Sequence, residues 1–116
     1  MSKVNVTMSV RKASASTSII DIQGEINAFA ENVLMDAYTQ ASSAGAQNIL
    51  LNFSGLEYMN SSGIGLLVTL LIRAKRQNQR LVACGLSEHY QQIFLLTRLN
   101  EAITIFSSEA DALAAL

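Results

Sequence analysis

The feature that restricts the fold most is a short run without polar residues, Ile49, Leu50 and Leu51. A strand with one face in water alternates apolar and polar residues, whereas a strand covered on both faces does not. The run therefore predicts a central strand. A second short apolar run, Leu81–Cys84, closed by Gly85, predicts another strand.

The beginning of the chain has the period of two that is typical of a strand with one face on a core. The polar stretch Lys12–Ser16 reads as a turn, and Gly24 ends the second alternating segment, so we expect a hairpin. The apolar positions that alternate are Val4, Val6, Met8 and Val10 in the first segment, and Ile20 and Ile22 in the second.

The remaining segments have the spacing of amphipathic helices. The first begins near Ala30 and runs past Ala41, with Gly45 where a left-handed C-terminal cap is expected. The second is expected from about Ser61 to Gln77. Ser87 can cap a third helix, and Ser108, followed by Asp111, a fourth. The third helix is expected to contain Ile93, Phe94, Leu96 and Leu99, and the fourth to have Leu113 and Leu116 inward.

With a final strand at Ile103–Phe106, the element order is ββαβαβαβα. A hairpin followed by repeated strand and helix units predicts an α/β fold with a mixed central sheet and right-handed crossovers. At 116 residues, without a linker or repeat, the chain is expected to form one domain over residues 1–116.

Composition argues against several classes of protein. Eight basic and nine acidic residues give a net charge of −1, so we expect no nucleic-acid partner. The apolar run Gly63–Ile72 is shorter than the roughly 20 residues that a membrane span needs. A single cysteine, Cys84, and a start without an apolar signal segment favour a cytoplasmic location.

No catalytic constellation is visible in the sequence. His89 is the only histidine, the acidic residues are scattered, and Cys84 lies inside an apolar strand. Gly63 and Gly65 fit neither of the common nucleotide-binding patterns. We therefore expect neither an enzyme nor a metal or cofactor site.

The segment Leu51–Leu67 holds the most informative pattern, because a buried strand leads through a short loop with Tyr58 and Met59 to a helix beginning at Asn60 or Ser61. Helix capping explains one such polar residue. Capping does not explain three cap-type residues in succession, Asn60, Ser61 and Ser62, followed by Gly63. Glycine there permits close backbone approach, and a serine hydroxyl at a helix start can accept a phosphate at modest cost to the fold. Capping and a phosphorylation switch both remain open on this evidence.

At these residues the chain resembles the STAS domain family, and within it the anti-anti-sigma factors, also called anti-sigma factor antagonists. The likeness rests on GEIN (Gly24–Asn27), on NILLNFSGLEYMNSSGIGLL (Asn48–Leu67), on LVACG (Leu81–Gly85) and on FLLTRLN (Phe94–Asn100). It implies a STAS-like fold with helices packed mainly on one face of the sheet.

The resemblance also implies a function in partner switching. The unphosphorylated protein would bind an anti-sigma factor that is a serine kinase, which frees a sigma factor for transcription, and a metal-dependent serine phosphatase would reverse the phosphorylation. The first serine of the motif, Ser61, is the implied phosphoacceptor, with Ser62 the second choice and a support of the helix start. We expect a monomer or weak dimer.

Two positions depart from the family pattern, because Asn60 and Asn27 stand where aspartates are usual. Asparagine caps a helix about as well as aspartate, so the fold should tolerate both. An amide cannot accept the hydroxyl proton, however, so phosphorylation of Ser61 is expected to be slowed or lost, or to need a differently built kinase.

Partner binding is expected to centre on the turn before the second helix and on the earlier loop. Tyr58 and Met59 have the equal alternative of folding onto the core. The alternative functions to a partner switch are a scaffold module that binds independently of phosphate, and a small-ligand sensor. The expected partner-binding residues are Glu25, Asn27, Tyr58, Met59, Asn60, Ser61, Ser62, Gly63 and Ile64.

Overall fold

The strands of the sheet lie side by side in the order in which they occur along the chain. In the computed structural model, which describes residues 4–116, the strands are β1 (Val6–Lys12), β2 (Thr17–Ile26), β3 (Asn48–Met59), β4 (Arg80–Cys84) and β5 (Thr104–Phe106). β1 is antiparallel to β2, and β2 to β5 are parallel, which confirms the predicted mixed sheet with an opening hairpin.

The helices lie mainly on one face of the sheet, as expected. They are α1 (Glu31–Ser43), α2 (Ser61–Arg76), α3 (Glu88–Leu96) and α4 (Glu109–Ala114), with short 3-10 helices at Ala28–Ala30 and Leu99–Glu101. α1, α2 and α3 each connect neighbouring parallel strands, and every connection moves one strand further in the same direction. Right-handed crossovers therefore place all three on the same face. α4 follows the last strand and packs on the opposite face.

The central strands are covered on both faces, as the apolar run Ile49–Leu51 predicts. Leu51 belongs to the core under α1, α2 and α3, whereas Leu50 packs with Ala112 of α4. Both leucines are fully buried, and burial of such a side chain contributes about 1.5–3 kcal/mol. The core of the domain therefore lies between the sheet and the three crossover helices, with a smaller cluster beneath α4.

The predicted caps are present. Ser87 accepts a hydrogen bond from the Tyr90 N–H at the start of α3, and Ser108 accepts one from the Asp111 N–H at the start of α4. Gly45, just beyond α1, has a φ of +88°, the left-handed conformation expected of a glycine at a helix end.

Three predicted details are wrong. β1 begins at Val6 instead of Val4, and Leu99 lies in a 3-10 helix after α3 instead of within the third helix. β3 also continues to Met59, so Tyr58 and Met59 belong to the strand and not to a loop. Two register shifts against β2 each add a residue to β3, which breaks the period of two along the strand.

Candidate functional site

The turn expected to bind a partner lies at the carboxyl ends of two adjacent parallel strands. Glu25 pairs with Tyr58, and Ile26 pairs with Met59, the last residues of β2 and β3. The segment that begins at Asn27 and the turn at Asn60 therefore leave the sheet side by side. The structure thus brings together the two segments that the sequence pattern predicts to form one surface.

Both asparagines that replace the usual aspartates cap a helix. The Asn60 side-chain oxygen accepts a hydrogen bond from the Gly63 N–H at 3.0 Å and so begins α2. The Asn27 side-chain oxygen accepts one from the Phe29 N–H at 2.9 Å and begins the 3-10 helix. The cap of α2 is thus Asn60. Over residues 4–116 the Ser62 side chain makes no hydrogen bond at the helix start, so its supporting role stays a prediction.

Ser61 and Ser62 are the first two residues of α2, and both are exposed. Within residues 4–116, neither hydroxyl has a hydrogen-bond partner, because the capping contact uses the Asn60 side chain instead. The helix N-terminus carries a partial positive charge, which favours a negative group there. The hydroxyl of Ser61 is therefore accessible from solvent.

Gly63 allows the close backbone approach expected from the sequence, although the approaching backbone belongs to the same chain. A Cβ atom at Gly63 would press on the carbonyl oxygen of Ile26 and would lie 2.7 Å from Cγ of Met59. The Asn60 N–H also donates to that carbonyl at 3.2 Å. The first turn of α2 is thus seated directly on the end of β2.

The predicted contact residues differ in exposure. Met59 is only 4% exposed, so of the two alternatives for its side chain, partner contact and folding onto the core, the second is confirmed. Tyr58 is 53% exposed and is available to a partner. Gly63 is buried and Ile64 half-buried, so Gly63 shapes the surface instead of forming it.

Two residues near the turn were missed by the sequence analysis. The Met59 N–H donates a hydrogen bond of 2.8 Å to the Tyr90 hydroxyl, which reaches across from α3. Phe29, two residues after Asn27, is 54% exposed in the 3-10 helix that contacts α2. Phe29 could have been noticed in the sequence as a large apolar residue shortly after GEIN, whereas no local pattern indicates the Tyr90 contact.

The clearest shifts of side-chain pKa lie elsewhere, on the face of the sheet that carries α4. Hydrogen bonds from the Arg11 guanidinium hold the pKa of Asp21 below its usual range. Burial, and then the nearby carboxylate of Glu109, raises the pKa of the Cys84 thiol. A raised pKa keeps the thiol protonated, which agrees with the inert role expected of Cys84.

Over residues 4–116, no group of three or more His, Cys, Asp or Glu side chains is arranged to hold a metal ion. None of the helices in the same part of the chain is long and apolar enough to cross a membrane.

Similarity to known proteins agrees with this architecture. An anti-sigma-B factor antagonist of Staphylococcus aureus is 24% identical over 86 residues, which cover 74% of this chain and 80% of the relative. The Bacillus cell fate determinant SpoIIAA, solved in its phosphorylated form, has 20% identity and a TM-score of 0.73, covering 94% of this chain and 98% of that one.

The same fold also occurs in a protein whose name places it in a transporter family. A sulfate transporter family protein from Wolinella succinogenes has 15% identity and a TM-score of 0.78, covering 90% of this chain and 88% of that one. At such identities the solved structures establish the fold alone. The family model described as the STAS domain, however, matches residues 8–112, nearly the whole sequence. The chain belongs to the STAS domain family.

Proposed function

We propose that this protein is an anti-sigma factor antagonist. It binds an anti-sigma factor serine kinase and so releases a sigma factor, and phosphorylation of Ser61 ends the complex until a metal-dependent serine phosphatase removes the phosphate. The observation that carries the proposal is the exposed Ser61 hydroxyl, free of hydrogen bonds within the described residues, in the first turn of α2. The description of the Staphylococcus aureus relative supports the same role.

The geometry supports binding instead of catalysis. The exposed or half-buried side chains around Ser61 offer a mixed apolar and polar surface, and they lie on two segments fixed by the sheet and by the Asn60 cap. Met59 and Gly63 lie beneath this surface and support it. The surface proposed to contact the kinase comprises Glu25, Asn27, Tyr58, Asn60, Ser61, Ser62 and Ile64.

Phosphorylation at Ser61 acts on the partner more than on the fold. A phosphate adds a charge of about −1.5 to −2 and three acceptor oxygens. The N-terminus of α2 accommodates that charge, because the free N–H groups of the first turn point toward it. A partner docked over the same turn, in contrast, meets a bulky dianion where the unmodified protein presents a small hydroxyl.

The amide of Asn60 is expected to slow the phosphorylation of Ser61. Its oxygen is occupied by the Gly63 N–H, and an amide does not take up a proton at neutral pH. A kinase that relies on an aspartate at this place to orient or deprotonate the serine therefore loses that assistance. We propose that Ser61 is phosphorylated slowly, or by a kinase that supplies its own base.

The decisive experiment incubates the protein with its cognate kinase and ATP and maps the phosphate by mass spectrometry. We expect phosphate on Ser61, loss of it in Ser61→Ala and its retention in the matched control Ser62→Ala. Asn60→Asp is expected to accelerate the reaction. Phosphate found only at other residues, or none in either the parent or Asn60→Asp, contradicts the assignment.

A second candidate is a phosphate-independent interaction module, favoured by Asn60 and by the occurrence of the fold in a sulfate transporter family protein. Binding of Ser61→Ala and Ser61→Asp to partners captured from the native cell separates the two. The switch requires that Ser61→Asp bind the kinase more weakly than Ser61→Ala. Equal binding of the two variants within a large assembly supports the module.

A further inference from the structure

The exposed side of α2 carries a stripe that begins at the candidate phosphoacceptor and runs to the end of the helix. Its members are three or four residues apart, the spacing of one helix face. Val68 is 39% exposed and Ile72 is 47% exposed, so two apolar side chains are partly exposed to solvent. The stripe consists of Ser61, Gly65, Val68, Ile72 and Arg76.

The stripe has a hole at Gly65, where no side chain is present, and a projecting side chain at Ile72. A Cβ atom at Gly65 would meet no other atom within 4 Å, so the helix surface is open at that point. Ile72, two turns further on, projects a large side chain. A glycine on one helix lets a second helix approach toward the lower end of the usual interaxial distance of about 8–10 Å.

A two-fold axis perpendicular to α2 pairs the stripe with its own copy in the antiparallel direction. Gly65 lies four residues after Ser61, and Arg76 lies four residues after Ile72. The register that seats Ile72 of one molecule over Gly65 of the other therefore also places Arg76 beside Ser61. Two-fold symmetry makes both contacts occur twice, with Val68 near the axis.

Charge decides when this pairing is favourable. In the unmodified protein the register brings Arg76 to the positive end of the opposite helix, which is repulsive. A phosphate on Ser61 reverses this, because the guanidinium fork binds phosphate oxygens in a bidentate manner. Arg76 is exposed, and over residues 4–116 it takes part in no ion pair, so its side chain is available.

We propose that the chain phosphorylated on Ser61 pairs with a second copy of itself through α2, with each phosphoserine bound by Arg76 of the other copy. This rests on the proposed function in one respect, namely that Ser61 is the modified residue. The pairing covers both phosphoserines. It therefore keeps the phosphorylated protein away from the kinase surface and slows the phosphatase.

The test compares the unmodified chain with a chain into which phosphoserine has been incorporated at position 61 during synthesis, by sedimentation equilibrium. We expect the phosphorylated chain to dimerise with a Kd at least about tenfold lower, an advantage that falls as salt is raised. Arg76→Gln in the phosphorylated chain is expected to abolish the gain, whereas the neighbouring control Lys75→Gln retains most of it. A monomeric phosphorylated chain, or equal dimerisation of its Arg76→Gln variant, overturns the proposal.

A second variant tests the register. Gly65→Leu fills the hole in the stripe and favours the helix, so the fold is kept and can be verified by circular dichroism. We expect the phosphorylated Gly65→Leu chain to dimerise at least about tenfold more weakly than the phosphorylated parent, the size of effect expected when a close helix contact is blocked. Undiminished dimerisation overturns the register. Because the phosphoserine is installed directly, a kinase that ignores Ser61 refutes the proposed function without affecting this result.

Discussion

Gly63 and Gly65 stand two residues apart in α2 and have opposite surroundings. A methyl group at Gly63 would press on the Ile26 carbonyl, whereas one at Gly65 would enter open space. We expect Gly63→Ala to lower the free energy of unfolding by about 1–3 kcal/mol, because the clash outweighs the better helix propensity of alanine. Gly65→Ala, the matched control, is expected to raise it by up to about 1 kcal/mol. Urea unfolding measures both, and a Gly63→Ala protein as stable as the parent contradicts the close packing of α2 on β2.

Asn60 caps α2 and also directly precedes the candidate phosphoacceptor Ser61. Two substitutions separate the contribution of the cap to stability from the effect of a carboxylate at this position. Asn60→Ala removes the oxygen that accepts from the Gly63 N–H, at an expected cost of about 0.5–2 kcal/mol in stability. Asn60→Asp retains the cap and adds a negative charge at the helix N-terminus, so its stability is expected to equal or exceed that of the parent. Thermal or urea unfolding of the parent and both variants measures these differences in stability. An aspartate variant as unstable as the alanine variant contradicts the capping role.

At the scale of elements, α3 is joined to the end of β3 by one buried hydrogen bond, from the Met59 N–H to the Tyr90 hydroxyl. Tyr90→Phe leaves this N–H without a partner in a dry site, at an expected cost of about 1–3 kcal/mol. The Met59 amide is then expected to exchange its hydrogen faster. Tyr58→Phe is the matched control, since Tyr58 is exposed, and should change neither quantity. Unchanged exchange in Tyr90→Phe contradicts the bond.

The elements differ in how well their sequence predicts them. α2 was placed to within one residue at either end because its signals are local, namely cap-type side chains at its start and a polar stretch at its end. β3 was recognised only over Ile49–Leu51. Its second half has two extra residues relative to β2, so inward and outward positions no longer alternate there and the periodicity that marks a strand is lost.

The same distinction applies to the candidate site. Local chemistry was enough to single out Asn60, Ser61 and Gly63, because capping and close approach depend on the nearest residues. Burial of Met59 depends on contacts with Ile26 and Tyr90, which are distant in sequence and are brought together only by the parallel pairing of β2 with β3 and by the packing of α3. Such contacts leave no periodic signal in the chain.

At the scale of the whole molecule, one charged residue links the second face of the sheet to the hairpin. Arg11 of β1 donates hydrogen bonds to Asp21 of β2 and to Glu109 of α4, the helix that covers this face. The hydrogen bonds from Arg11, followed by that from Asn52, lower the pKa of Asp21. The contact between Arg11 and Glu109 therefore adds an ion pair between β1 and α4 to the apolar packing of Ala112 on the sheet.

This arrangement predicts how stability responds to acid. Because the pKa of Asp21 is lower in the folded chain than its unfolded value of about 3.9, ionised Asp21 stabilises the fold above that pH, and the contribution disappears as the pH falls through the folded pKa. Arg11 is half-exposed, so the contribution is at most about 1 kcal/mol. We expect urea unfolding of Asp21→Asn and of Arg11→Gln to show the same shallower loss of stability below about pH 4. A parent-like acid slope in Asp21→Asn would mean that other carboxylates control acid unfolding.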